Sequence, residues 1–100
     1  MRIDLGGATG TVEVTVVGEV DFGTVPWLEA ELAPVAARAE TLRIRLAGVT
    51  FFDAAGAGAL VHCTRVCRAR DARVVLVEPA ASVRRILDVT GLSRILDIES

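Results

Sequence analysis

The chain has 100 residues, of which 52% are hydrophobic and 24% charged, with a formal net charge of −2. This length and composition fit one globular domain, residues 1–100, and not a disordered chain. The small net charge excludes the electrostatic footprint of a nucleic-acid binder and the polybasic anchor of a membrane-surface protein. No apolar stretch approaches the ~20 residues of a membrane span, and no secretory leader is recognisable. We therefore expect a cytoplasmic protein without direct membrane insertion.

The first third of the chain predicts two strands followed by a helix. Ile3–Leu5 is expected to form a short strand, and strict alternation over Thr11–Val17 predicts a half-buried, antiparallel strand. Thr24 is a candidate N-cap, and Pro26 fits the first turn of the helix that follows. Pro34 lies inside the same apolar pattern, so we expect it to kink the helix or divide it in two.

The remainder alternates strands with helices. Apolar residues at every second position of Leu42–Leu46 predict a strand, and a helix is expected from Asp53 to about Arg70. Arg73–Val77 is a compact apolar run, typical of a central strand that is covered on both faces. Ser82 is expected to cap the next helix and Gly91 to end it at the C′ position. The segment after Gly91 fits either a strand or a short helix.

This element order predicts an α/β domain with an open mixed sheet, in which the later strands are parallel and joined by crossover helices. Function in such sheets gathers at the carboxyl ends of the strands. Two segments are expected there: Gly18–Asp21, and the turn that begins at Asp53.

The turn at Asp53 has two possible interpretations. Asp53 is placed to accept hydrogen bonds from the free N–H groups of its helix, and Ala54–Gly58 makes the first turn almost free of side chains. In one interpretation, small residues allow close packing of helix and sheet. In the other, the bare helix N-terminus offers donors to an anion or to the backbone of a partner. Local features favour the packing interpretation. The two glycines each cost about 1 kcal/mol of helix propensity, a cost that a sequence tolerates more readily where something needs close approach.

Three segments in the right order identify the family that this chain resembles. Gly48–Leu60 resembles the signature of the STAS domain, the fold of bacterial anti-sigma factor antagonists. Val17–Asp21 is similar to the Gly-Glu-Leu-Asp segment of that family, and Val89–Leu96 to its C-terminal Ser/Thr-Gly-Leu segment. The resemblance covers nearly the whole chain and implies a STAS fold, with a mixed sheet of four to five strands and three to four helices.

The resemblance also implies a switch that this chain lacks. In the antagonists the turn usually reads Asp-Ser-Ser-Gly, and its second serine is phosphorylated by a kinase that is also the anti-sigma factor. The matching position here is Ala55, preceded by Ala54, and neither has a hydroxyl group. We therefore expect no phosphorylation at the usual site. Thr50 is the nearest hydroxyl before the turn, and we interpret it as structural.

The function that follows from the resemblance is that of a protein-binding module. The expected partner is an anti-sigma factor and serine kinase of the histidine-kinase-like ATPase type. The expected partner-binding residues, by resemblance, are Glu19, Asp21, Asp53, Ala54, Ala55, Gly56, Ala57 and Gly58. The alternatives are a non-switching STAS subunit of a lipid-trafficking ABC transporter, a regulatory scaffold, or a degenerate domain that no longer binds a kinase.

Arg45 departs from the usual pattern, because the family often has an aspartate at this position. Its guanidinium group could pair with Asp21 or Asp53 and hold the turn rigid, or it could point to solvent. Either arrangement makes the local surface less acidic than in the usual pattern.

No residues in the sequence indicate catalysis, a cofactor or a metal site. His62, Cys63 and Cys67 fall on one predicted helix, without a fourth ligand and without a common zinc spacing. The cysteines share an apolar stripe, so we interpret them as core residues. No nucleophile–base pair is recognisable, and the chain is expected not to be an enzyme. Trp27 lies off the apolar stripe of its helix and either is exposed at an interface or packs over Pro34.

Overall fold

The computed structural model describes all residues, 1–100, as five strands, three α-helices and one 3₁₀ turn. In chain order the elements are β1 (Arg2–Ala8), β2 (Thr11–Val20), α1 (Val25–Ala36), β3 (Thr41–Phe52), α2 (Ala54–Arg68), β4 (Arg73–Val77), α3 (Ala81–Val89), the 3₁₀ turn (Leu92–Arg94) and β5 (Asp97–Glu99). The strands form one sheet in the order β1-β2-β3-β4-β5. β1 is antiparallel to β2, and all later neighbours are parallel. The predicted α/β fold with a mixed sheet is confirmed.

The inner face of the sheet carries the apolar side chains that the helices cover. Strand register places Val14, Ile44 and Leu76 side by side on this face, and all three are buried. They belong to one cluster of 25 buried residues, to which every helix contributes. The main helical contributors are Leu28, Leu32, Val35, Leu60, Cys63, Cys67, Val83 and Leu87. The core therefore lies between one sheet face and a single layer of helices.

The outer face of the sheet is open and carries ion pairs. Arg43 binds the Glu99 carboxylate with two hydrogen bonds, of 3.0 and 2.8 Å. β4 lies between the strands that carry Arg43 and Glu99. Its residues Val75 and Val77 are buried on the outer face, where the strand register places them beside Arg43 and Arg45. Both faces of β4 are therefore buried, as predicted, but the outer face is not covered by a second layer of helices. Long charged side chains flank the valines here, and no helix does.

Helix α1 differs from the prediction at both ends. It runs without a break from Val25 to Ala36, so Pro34 does not divide it. Pro34 lies in the last turn, where the missing N–H removes a single hydrogen bond. Thr24 occupies the N-cap position but makes no side-chain cap. Its hydroxyl instead accepts from the backbone N–H of Asp21 at 3.0 Å and donates to the carbonyl of Glu19 at 3.0 Å.

The C-terminal third corrects one predicted cap and resolves one open segment. The N-cap of α3 is Ala80, two residues before Ser82, whose hydroxyl donates to the carbonyl of Val49 at 3.0 Å. Gly91 follows α3 at φ +77°, as expected of a C′ glycine. The segment after it forms both a 3₁₀ turn and a strand. No helix of the chain is long and apolar enough to cross a membrane.

Candidate functional site

The two segments expected at the carboxyl ends of the strands lie next to each other. β2 and β3 are parallel neighbours, and their last residues, Val20 and Phe52, are paired in register. Asp21 and Asp53 follow directly, and the backbone N–H of Phe22 donates to Oδ2 of Asp53 at 3.3 Å. β2 extends three residues beyond its predicted end. Most of the first segment, Gly18–Asp21, therefore belongs to the sheet.

Asp53 is the N-cap of α2 and joins it to the preceding loop. Its Oδ1 accepts from the N–H groups of Ala55 at 3.0 Å and Gly56 at 3.3 Å, while Oδ2 accepts from Phe22. Its backbone carbonyl accepts from the N–H of Ala57 at 3.1 Å. Most free donors of the first turn are thus satisfied internally. The interpretation of this turn as an open anion-binding helix end is therefore not favoured.

Asp21 organises the loop on which Phe22 is presented. Its Oδ1 accepts from the backbone N–H groups of Gly23 at 2.9 Å and Thr24 at 3.0 Å. Its backbone carbonyl accepts from Thr24 at 3.1 Å and Val25 at 2.9 Å, which starts α1. Asp21 is therefore partly a structural residue, whereas Glu19 is exposed and forms no ion pair.

The small residues at the start of α2 divide between packing and exposure. Gly56 and Ala57 are buried, and a Cβ atom at Gly56 would lie 2.6 Å from the Phe52 ring. Gly56 and Ala57 are among the residues predicted to contact a partner, and that contact remains a prediction for these two buried residues. Ala54 and Gly58 are exposed, and a Cβ atom at Gly58 would meet nothing within 4 Å. The packing interpretation of the turn therefore holds for Gly56 and Ala57, whereas Ala54 and Gly58 face solvent.

Two exposed phenylalanines lie beside this turn, and neither was among the predicted site residues. Phe22 is 85% exposed and Phe51 is 49% exposed, and Phe51 pairs in register with Glu19. Trp27, in the first turn of α1, is 55% exposed, as one of its two interpretations required. The available signals were a phenylalanine directly after Asp21 and two successive phenylalanines before Asp53. Exposed aromatic groups with a polar border are typical of protein interfaces.

Arg45 contacts neither of the carboxylates expected for it. It lies on the outer face of the sheet, where Nη2 is 2.8 Å from Oε1 of Glu78 and Nη1 is 3.8 Å from Oε2 of Glu13. The prediction of a pair with Asp21 or Asp53 is wrong. The side chain lies on the open face of the sheet, as the alternative prediction required, and is ion-paired there. The reason is the alternation of β3, which gives Arg45 the same orientation as Arg43.

The helix that carries His62 presents thiols to the core and the imidazole to solvent. Cys63 and Cys67 are buried free thiols, as predicted, and burial raises the pKa of Cys63 to about 12. His62 and Cys63 line a narrow, mainly apolar cavity between α1 and α2 of about 70 Å³. No group of three or more histidine, cysteine or acidic side chains is placed to hold a metal ion. The two cysteines therefore contribute buried apolar surface to the core.

The fold and the turn at Asp53 are those of a STAS domain. The family model of the STAS domain matches residues 2–100, and the chain belongs to that family. The STAS family predicted from the sequence is thereby confirmed.

Its characterised relatives are antagonists of anti-sigma factors, which are regulatory binding proteins. The anti-sigma-B factor antagonist of Bacillus subtilis (strain 168) is 28% identical over 100 residues, covering 100% of this chain and 92% of the relative. That of Listeria monocytogenes is 30% identical over 93 residues, covering 92% of this chain and 82% of the relative. The crystal structure of an anti-sigma factor antagonist from Mycobacterium paratuberculosis superposes with a TM-score of 0.88 at 25% identity, covering 98% of this chain and 84% of that one.

Proposed function

We propose that this chain is an anti-sigma factor antagonist that binds an anti-sigma factor of the histidine-kinase-like ATPase type. It would contact that partner through the surface at the start of α2. This docking surface comprises Glu19, Asp21, Phe22, Phe51, Asp53, Ala54, Ala55 and Gly58. The observation that carries the proposal is that two exposed phenylalanines, Phe22 and Phe51, lie close to Asp53 along the chain or through the backbone hydrogen bond from Phe22 to Asp53. The same proposal places the chain in the cytoplasm, where sigma factors act.

The individual residues have different parts in this surface. Phe22 and Phe51 would supply the buried apolar area of the interface, which is where most of the binding energy of an interface arises. Ala54 and Gly58 would allow the backbone of the partner to come close. Asp53 would contribute indirectly, because it fixes both the loop and the helix. Gly56 and Ala57 would keep α2 packed on the sheet beneath this surface.

Because residue 55 is an alanine, the proposed antagonist lacks the usual phosphorylation switch. Ala55 is the second residue of α2, and its methyl group is partly buried against the core. With no hydroxyl oxygen, it cannot accept a phosphoryl group. A kinase that docks here would therefore bind without inactivating its ligand, and control would rest on the amount of the chain.

The test is a binding titration with an anti-sigma factor kinase from the same genome, followed by incubation with ATP and intact-mass analysis. We expect saturable binding of the unmodified chain and no added phosphate. Ala55→Glu should weaken binding by about tenfold or more, because a carboxylate would be desolvated within the interface. The matched control is Ala69→Glu, at the exposed opposite end of α2. It is expected to bind as the unmodified chain does.

Two results would contradict this proposal. Failure of the unmodified chain to bind any such kinase would remove the antagonist function. Stoichiometric phosphorylation of the unmodified chain would show that it is switched after all. In addition, Ala55→Ser should become phosphorylated if the kinase docks in the expected orientation. A serine that stays unmodified in a complex that does form would show a different orientation.

A further inference from the structure

A groove adjoins the docking surface on the side of α3. It lies between the end of β3 and the start of α3 and has a volume of about 360 Å³. Its lining residues are Thr50, Phe51, Phe52, Ala81, Ser82, Arg85 and Ile86. The Phe51 ring is common to the groove and to the docking surface. A partner that covers Phe51 would therefore also reach the mouth of the groove.

The walls of this groove are fixed before any partner binds. The Ser82 hydroxyl donates to the Val49 carbonyl, and the backbone N–H of Ala80 donates to the carbonyl of Leu46 at 3.2 Å. These two contacts tie the start of α3 to β3. The Phe52 ring is buried beneath the groove and packs against Gly56. The groove is thus preformed, which limits the entropy lost when it is filled.

The charged component of the groove is a guanidinium group without a counter-ion. Arg85 is exposed and belongs to none of the ion pairs of the chain. Its neighbour Arg84, on the same helix, lies outside the groove lining and is 3.5 Å from the hydroxyl of Ser100. An apolar trough beside an unpaired cation favours a ligand with an apolar side chain next to a carboxylate.

We propose that the groove receives an acidic-apolar segment of the same partner, with its carboxylate paired to Arg85. The inference rests on the proposed function, because it assigns a second contact to the partner bound at Phe22 and Phe51. Glu19 adjoins Phe51 across the strand pairing, whereas Arg85 adjoins it across the groove. The surface thus has a negative and a positive group beside one apolar centre, and these two groups fix the orientation in which a partner of complementary charge docks.

The experiment compares Arg85→Glu with Arg84→Glu, which change net charge equally on the same helix. Both variants are titrated with the anti-sigma factor kinase domain used above, at low and at high salt. Arg85→Glu is expected to weaken binding by about tenfold or more, and Arg84→Glu by about twofold or less. Charge reversal of single acidic residues on the kinase should restore binding of Arg85→Glu at one position only. Circular dichroism of both variants confirms that they fold.

Each outcome decides the question in one direction. Equal effects of the two variants would indicate long-range attraction alone and overturn the groove contact. Normal binding of Arg85→Glu, with binding lost in Phe22→Ala, would refute the groove contact and leave the proposed function intact. Loss of all binding by the unmodified chain would overturn both. Self-association of the free chain that Arg85→Glu abolishes would assign the groove to a second copy and overturn the proposal.

Discussion

At the scale of single residues, Asp53 determines the geometry of two segments at once. One carboxylate oxygen caps α2 and the other holds the loop at Phe22. We expect Asp53→Ala to lower the free energy of unfolding by about 0.5–2 kcal/mol and to weaken kinase binding, because Phe22 is released. Asp53→Asn keeps one acceptor oxygen and should retain most of the stability. Urea denaturation measures the effect.

The control for this prediction is Asp88→Ala in α3, whose carboxylate makes no ion pair. It removes the same charge without removing a cap. If Asp53→Ala were as stable as Asp88→Ala, the capping role assigned to Asp53 would be wrong. If it were less stable but bound the kinase normally, the loop would not depend on this hydrogen bond.

The two glycines of the first turns of α2 should respond in opposite directions to the same substitution. Gly56→Ala places a methyl group 2.6 Å from the Phe52 ring, so it should destabilise the fold by about 1–3 kcal/mol. Gly58→Ala places one in open space and should stabilise the helix by up to about 1 kcal/mol. Thermal denaturation of both variants measures these effects, and each variant serves as the control for the other. Equal effects of the two substitutions would contradict the packing described here.

At the scale of elements, α2 buries its thiols so well that they should be inert. Burial raises the pKa of Cys63 to about 12 and also raises that of Cys67. Because the thiolate is the reactive form, we expect both to react slowly with a disulfide reagent at about pH 8 in the folded chain and quickly once unfolded. Ala69→Cys, exposed at the end of the same helix, is the matched control and should react at once.

The same burial has a consequence for stability at alkaline pH. The unfolded thiol of Cys63 loses its proton near its ordinary pKa of 9.0, whereas the folded one keeps it to about 12. Deprotonation therefore favours the unfolded state, and stability should fall as the pH rises through this interval. Rapid labelling of Cys63 in the folded chain would contradict both expectations.

The elements show which features the sequence could predict. The cap at Asp53 and the stripe of α2 are local patterns, and both were predicted correctly. Arg45 was not, because its partner Glu78 is 33 residues away and only the strand register brings the two together. Pro34 was misjudged because the end of α1 was unknown, and a proline in a last turn is tolerated. The hydrogen bond from the backbone N–H of Phe22 to Asp53 joins residues 31 apart, which no local pattern encodes.

At the scale of the whole molecule, the two faces of the sheet have separate tasks. Helices cover the inner face and form the core, while the proposed docking surface lies at the carboxyl ends of β2 and β3. The outer face is left with ion pairs that link Glu13, Arg43 and Glu99 across β2, β3 and β5. These pairs tie the short terminal strand to the centre of the sheet. Sequence alone could not show this, since the apolar run of β4 is typical of a strand between two layers.

This one-sided architecture predicts how stability depends on acid. The hydrogen bonds from Arg43 hold the pKa of Glu99 below its ordinary 4.5, so folding favours the ionised carboxylate. The resulting stability is fully present above pH 4.5 and is lost as the pH falls through the lower folded value. We therefore expect Glu99→Gln to be less stable than the unmodified chain near neutrality, with the difference shrinking as the pH falls below this range. Chemical denaturation at a series of pH values measures it. Glu31→Gln, at a carboxylate without an ion pair, should show no such convergence. A deficit of Glu99→Gln that stays constant with pH would show that the ionised carboxylate is not its source and would contradict this account.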